Sequence, residues 1–171
     1  RKVYASGVLG TVSRIEQRRN GKRPFWYGYI RDVRSADVNW DEFVMGCSSR
    51  DFDSVAYSAW MGYRDFCDGP IPQLGVHYID TVHFITGAEL PESCVCHGGT
   101  FTWKDEHRFD VPDHVQALWT YPDGFMVSYS TNFGNAGDNA FKITGNEGVL
   151  DLTNSDAPLL STVDEETKPV E

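Results

Sequence analysis

Gln73, His77, Asp80 and Phe84 recur at intervals of four, three and four residues through Gly69-Pro70-Ile71-Pro72-Gln73-Leu74-Gly75-Val76-His77-Tyr78-Ile79-Asp80 and onward. At roughly 100° per residue that spacing gathers a carboxamide, an imidazole, a carboxylate and a phenyl ring on one helical stripe. Imidazole titrates near neutral pH, so His77 could relay a proton to or from a hydroxyl, while Gln73 and Asp80 could hydrogen-bond neighbouring hydroxyls. The same spacing also fits a core histidine bonded to a backbone carbonyl. Tyr63 and Arg64, a few residues upstream, are further candidates for a cleft, on proximity in sequence alone.

The element that must carry these groups is a helix. Pro70 and Pro72 suit a first turn, where backbone N–H groups have no partner to lose, and Gly87 stands where a left-handed C-terminal residue is expected. The predicted span is Pro72 to Thr86. Leu74, Tyr78, Val82 and Ile85 fall on one flank, Val76 and Ile79 on another, so the helix is apolar nearly all round and is expected to be buried. Polar groups on a buried helix must be satisfied internally or face a cavity.

The chain has 171 residues, enough for one domain with a substantial core. Lysine and arginine number 15 against 25 acidic residues, a formal net charge of -10, and no basic cluster suggests a groove for phosphates. Nucleic acid is excluded as an expected partner. No apolar run approaches the roughly 20 residues of a membrane span, and Arg1-Lys2-Val3-Tyr4 carries no signal-peptide pattern. Cys47, Cys67, Cys94 and Cys96 lack the paired spacing of a structural zinc site and read as reduced, buried thiols of a cytoplasmic protein. His107 and His114 flank Asp110 and Asp113 in what reads as a solvated loop, and the acidic Asp164-Glu165-Glu166 reads as a frayed terminus.

Along the chain, Gly7 to Gly10 is a turn and Thr11 to Arg18 alternates like a strand with one wet face. Lys22 to Gly69 is aromatic-rich and irregular, with helical turns expected at Asn39 to Phe43 and Ser54 to Trp60. Strand-like runs follow the central helix at Cys94 to Lys104, Val115 to Tyr121, Gly124 to Phe133, Asn139 to Gly145 and Val149 to Leu152. Tyr121-Pro122-Asp123-Gly124 and Asn146-Glu147-Gly148 are tight-turn signals. The predicted class is α+β: residues 1–171 form one domain, an open, predominantly antiparallel sheet with helices on one face, its C-terminal half a meander.

No Gly-x-Gly-x-x-Gly, phosphate loop or serine elbow is present. The landmarks in order are Ser6-Gly7-Val8-Leu9-Gly10-Thr11-Val12, Asn39-Trp40-Asp41-Glu42-Phe43, Tyr63-Arg64-Asp65-Phe66, Gly69 to Asp80, Tyr121 to Gly124, and Ile143-Thr144-Gly145-Asn146-Glu147-Gly148-Val149-Leu150. Together they resemble the C-terminal domain of the Gfo/Idh/MocA oxidoreductases, the family of glucose-fructose oxidoreductase and inositol dehydrogenase.

That resemblance implies the fold of a glyceraldehyde-3-phosphate dehydrogenase C-terminal-like domain. It also implies an N-terminal Rossmann domain, outside these residues, that binds NAD or NADP, a sugar, cyclitol or related polyol held between the two domains, and a homo-oligomer formed through the sheet face. It assigns His77 to proton transfer at the substrate hydroxyl. Gln73 departs from the aspartate that many relatives carry four residues before that histidine; it can hydrogen-bond a hydroxyl but carries no charge. The enzyme reading therefore expects a substrate-binding and catalytic half, with no cofactor bound by this domain alone and no turnover by the isolated chain. The alternative is a non-catalytic ligand-binding or oligomerisation module of the same fold. Glycoside hydrolysis through transient oxidation is a third reading.

Overall fold

The computed structural model describes residues 1–170 as one eight-stranded sheet with its principal helix laid across one face. The strands are β1 (Val12–Arg18), β2 (Ser93–Gly99), β3 (His114–Thr120), β4 (Met126–Asn132), β5 (Ala140–Gly145), β6 (Gly148–Asp151), β7 (Leu159–Thr162) and β8 (Lys168–Pro169). Their order is β2-β3-β4-β1-β5-β6-β7-β8. Four α-helices accompany them among the described residues, besides short 3-10 turns: α1 (Lys2–Ala5), α2 (Trp40–Val44), α3 (Ser54–Ser58) and α4 (Val76–Thr86).

The open, predominantly antiparallel sheet matches expectation, but the C-terminal half is not an uninterrupted meander. β1 inserts between β4 and β5, parallel to β4 with Ile15 beside Val127, and antiparallel to β5 with Ile15 opposite Ile143. Those three side chains are fully buried at the centre of the sheet, and such aliphatic burial is worth roughly 1.5–3 kcal/mol per residue. A segment distant in sequence thus takes the position of greatest burial, which turn signals between β4 and β5 could not disclose. The acidic tail is also corrected: β7 pairs with β6, and β8 with β7, so Asp164 to Glu166 sit in the connection of a hairpin. β2 ends at Gly99, short of the predicted Lys104, because the amides of Phe101, Thr102 and Trp103 turn to the carboxylate of Asp113.

The helix begins as predicted but not as a regular α-helix. Ile71–Gly75 forms a π turn behind Pro70, and α4 continues to Thr86, where Gly87 takes φ +79°. Tyr78, Val82 and Ile85 pack onto the sheet core of Ile15, Val127, Tyr129, Ile143 and Leu150. A second cluster, including Trp26, Ala56, Ala59, Met61, Tyr63, Phe109, Val111 and Phe133, orders the aromatic excursion. There, Asn39 caps α2 through the Glu42 amide, and Asp53 caps α3 through the amides of Val55 and Ala56, satisfying N–H groups that each helix start leaves free.

The expected set of buried thiols is corrected to one. All four cysteines are free, but only Cys67 is buried; Cys94 and Cys96 lie exposed on edge strand β2, which has a neighbour on one side alone, and Cys47 is exposed after α2. Among the described residues, no helix is long and apolar enough to cross a membrane.

Candidate active site

α4 is not buried all round. Its sheet-facing residues reach 0% exposure at Val82, whereas Val76 is 50% and Phe84 62% exposed, and His77 and Asp80 also lie open on the outer face. The apolar flank read as a sign of full burial is thus an uncovered surface, because this chain supplies a sheet for only one side of the helix. His77 is anchored through its backbone, where its carbonyl accepts from Thr81 Oγ1 at 2.8 Å. Its imidazole has no hydrogen-bond partner among the described residues and is not the satisfied core histidine that the spacing also allowed.

Gln73 occupies the π turn at half burial, one helical step before His77. Its Nε2 donates to Cys67 Sγ at 3.2 Å, and the Gly69 amide donates to the same sulfur at 3.2 Å. The stripe of Gln73, His77 and Asp80 therefore exists, with its first member tethered to the loop that launches the helix. Cys67 was legible only as a buried thiol; its six-residue separation from Gln73 crosses a Gly-Pro turn, and helical periodicity does not extend through such a turn.

Tyr63 does not join this face. It is 2% exposed, its hydroxyl donates to the His107 carbonyl at 2.8 Å, and its ring packs on Phe109 with the Arg50 guanidinium 4.5 Å from its centroid. Burial, with the nearby carboxylate of Asp53, pushes the Tyr63 hydroxyl up to about 12, as expected of a neutral packed phenol. The expectation of a cleft contact is replaced by a packing role. Arg64 is exposed, but its amide donates to Asp110 Oδ1 at 2.8 Å and its Nε to the Asp110 carbonyl at 3.1 Å, which directs it to the 105–112 loop.

The reading of Asp113 and His114 as part of a solvated loop is also overturned. Asp113 is 1% exposed and its carboxylate accepts from three backbone amides and lies against His114 Nδ1. Burial pushes its acidity the other way, but the His114 and amide hydrogen bonds outweigh it and hold the carboxyl below the usual range. No sequence pattern marks this site, because the amide donors become convergent only after β2 ends and the chain folds back. Among the described residues no group of three or more His, Cys, Asp or Glu is arranged to hold a metal ion.

The chemistry available at the α4 face is hydrogen bonding and proton transfer by neutral or cationic imidazole. It includes no phosphate-cradling glycine loop, so a dinucleotide would have to be held by residues other than these.

The comparisons fit this architecture. Superposition on each of three solved oxidoreductase structures covers 99% of this chain but only about two-fifths of the other. It superposes on levoglucosan dehydrogenase, solved in complex with NADH and levoglucosan, at TM-score 0.65 and 15% identity over 42% of that chain. For WlbA dehydrogenase from Bordetella pertussis, solved with NADH and UDP-GlcNAcA, the values are 0.59, 17% and 41%. For an oxidoreductase domain protein from Kribbella flavida they are 0.61, 19% and 42%. At such identities these likenesses establish the fold alone. No curated protein gives a sequence match. The family model described as the GFO/IDH/MocA C-terminal domain matches residues 28–151, most of the chain. On that match, this chain belongs to the GFO/IDH/MocA oxidoreductase family, as its C-terminal domain.

Proposed function

We propose that this chain is the substrate-binding and catalytic half of an NAD- or NADP-dependent oxidoreductase acting on a sugar, cyclitol or related polyol, with His77 as the proton relay. One observation carries the reading: the His77 imidazole has no hydrogen-bond partner among the described residues and lies on a helix face whose apolar neighbours Val76 and Phe84 are themselves exposed. Large apolar groups left open beside a free imidazole suit a surface that a second domain closes. Closure would exclude water from the imidazole and strengthen its hydrogen bond to a bound hydroxyl.

The dinucleotide, when bound by a partner domain, supplies the acceptor for the hydride leaving the alcohol carbon. The residues of this chain handle the other half of the balance. As the C–H pair departs, the O–H bond breaks and its proton passes to the His77 imidazole, while Asp80 and Gln73 hold adjacent hydroxyls. A positioned base of this kind contributes about 10²–10⁴-fold to rate. The outer sheet face, with Val95, Leu118 and Met126 exposed, supports self-association of the full protein.

The test is His77→Ala in the full-length protein. Turnover should fall by about 10²-fold or more with nucleotide affinity unchanged. Wild-type turnover in that variant would reject His77 as the proton relay, whereas a wild-type full-length protein that oxidises no polyol would favour the non-catalytic module. In isolation the chain is expected neither to bind NAD tightly nor to oxidise substrate.

A further inference from the structure

We propose that Cys67 is a positioning residue that fixes the polarity of Gln73, so that this residue, one turn before His77 on the open helix face, presents a carbonyl acceptor to a substrate hydroxyl. The inference rests on the functional reading above and adds a determinant of specificity to it.

The thiol is held before the side chain it governs. Cys67 is 8% exposed, and its own amide donates to the Tyr63 carbonyl at 3.0 Å. Its sulfur receives the Gly69 amide, in a turn where Gly69 has φ +102° and an added Cβ would lie 3.1 Å from Val111. The Gln73 amide then donates back to the Gly69 carbonyl at 3.3 Å, closing the loop onto the π turn. Interruptions of helical hydrogen bonding of this type recur at functional sites because they re-aim a side chain.

A carboxamide has one accepting and one donating end, and the two diverge in a plane. With Nε2 committed to Cys67 Sγ at 3.2 Å, Oε1 is turned away from the sulfur and remains the free end. Left untethered, the amide could rotate and offer either end, recognising hydroxyl donors and acceptors alike. Tethered, the end it turns away from the sulfur is Oε1, an acceptor only, while the second Nε2–H stays at the sulfur end. The group it reads must therefore donate a hydrogen bond, as the hydroxyl next to the reacting carbon of a polyol does and as a deoxy or O-methyl position does not. Because the acceptor is uncharged, a nearby substrate carboxylate or phosphate would not be repelled by it.

Two measurements test this. In the ¹⁵N-labelled chain, the Gln73 side-chain NH₂ pair, assigned by its loss in Gln73→Ala, should be shifted and slow to exchange. Cys67→Ala should return it to free-amide values, and Cys67→Ser, which keeps an acceptor, should preserve the shift. In the full-length enzyme, assayed with NAD⁺ on myo-inositol, D-glucose and levoglucosan, Cys67→Ala should raise KM by about 3- to 10-fold, the usual scale of one neutral hydrogen bond. It should leave kcat within about 2-fold and narrow the preference over the matching deoxy compound, with Cys67→Ser restoring both. A merely structural loss would lower the amount of active enzyme without that split. An unmoved Gln73 resonance in folded Cys67→Ala, or unchanged KM and discrimination, overturns the proposal. Oxidation of none of the three probes by the wild-type enzyme counts against the functional reading, and the resonance then decides the tether by itself.

Discussion

Asp113 Oδ1 lies 2.6 Å from His114 Nδ1, while the same carboxylate accepts from the amides of Phe101, Thr102 and Trp103 at 2.8–2.9 Å. This junction ties the chain leaving β2 to the start of β3. The Asp113 amide in turn donates to the Gly99 carbonyl, and its own carbonyl accepts from Phe133. Removing the carboxylate would strand several donors at once. Asp113→Ala is expected to cost at least about 3 kcal/mol, since each buried donor left without a partner costs about 1–3 kcal/mol. Urea unfolding at neutral pH measures it.

The same group makes a pH prediction. Its native pKa is depressed despite burial, so it contributes stability that is fully present above the unfolded aspartate value near 3.9 and is lost as pH falls through the lower native value. Wild-type stability should therefore drop on acidification below about pH 4, and Asp113→Asn should flatten that part of the profile. Parallel wild-type and variant curves between pH 5 and 2.5 would show that the carboxylate is not responsible.

His77 and Tyr63 should separate in their effects on folding. Because the His77 ring is exposed and has no hydrogen-bond partner among the described residues, His77→Ala should alter unfolding free energy by no more than about 0.5 kcal/mol. Tyr63→Phe keeps the packing but removes the donor to the His107 carbonyl, with an expected cost of about 1–2 kcal/mol. A large loss in the first variant would assign His77 to structure rather than chemistry.

Gly62 is fixed by packing. A Cβ there would stand 2.2 Å from Phe109 Cδ1 and 2.8 Å from Trp26 Cδ1, and the Gly62 carbonyl accepts from the amides of Asp110 and Val111. Both rings are buried in the aromatic cluster and have little room to move. Gly62→Ala should cost about 1–3 kcal/mol, readable as a lower urea midpoint.

The thiols should divide three to one. Cys47, Cys94 and Cys96 are exposed, so an alkylating reagent at mildly alkaline pH should modify them in the native chain. Cys67 should react only on unfolding, and mass spectrometry of the native and denatured samples checks the division. Rapid native labelling of Cys67 would contradict its burial and weaken its hold on Gln73.

What the sequence determined by itself is local. Periodicity placed Gln73, His77 and Asp80 on one helix face, Pro70 and Gly87 bracketed that helix, and Asp123-Gly124 turned β3 into β4, because these depend on backbone preferences within a few residues. Tertiary structure decided the rest. β1 found its place between β4 and β5 through burial of Ile15 against Val127 and Ile143; Asp113 became a buried junction because amides from a distant turn converge on it; Cys67 captured Gln73 across a turn that breaks helical phase. Each depends on two segments meeting in space, and the energy of that meeting is written in neither segment alone.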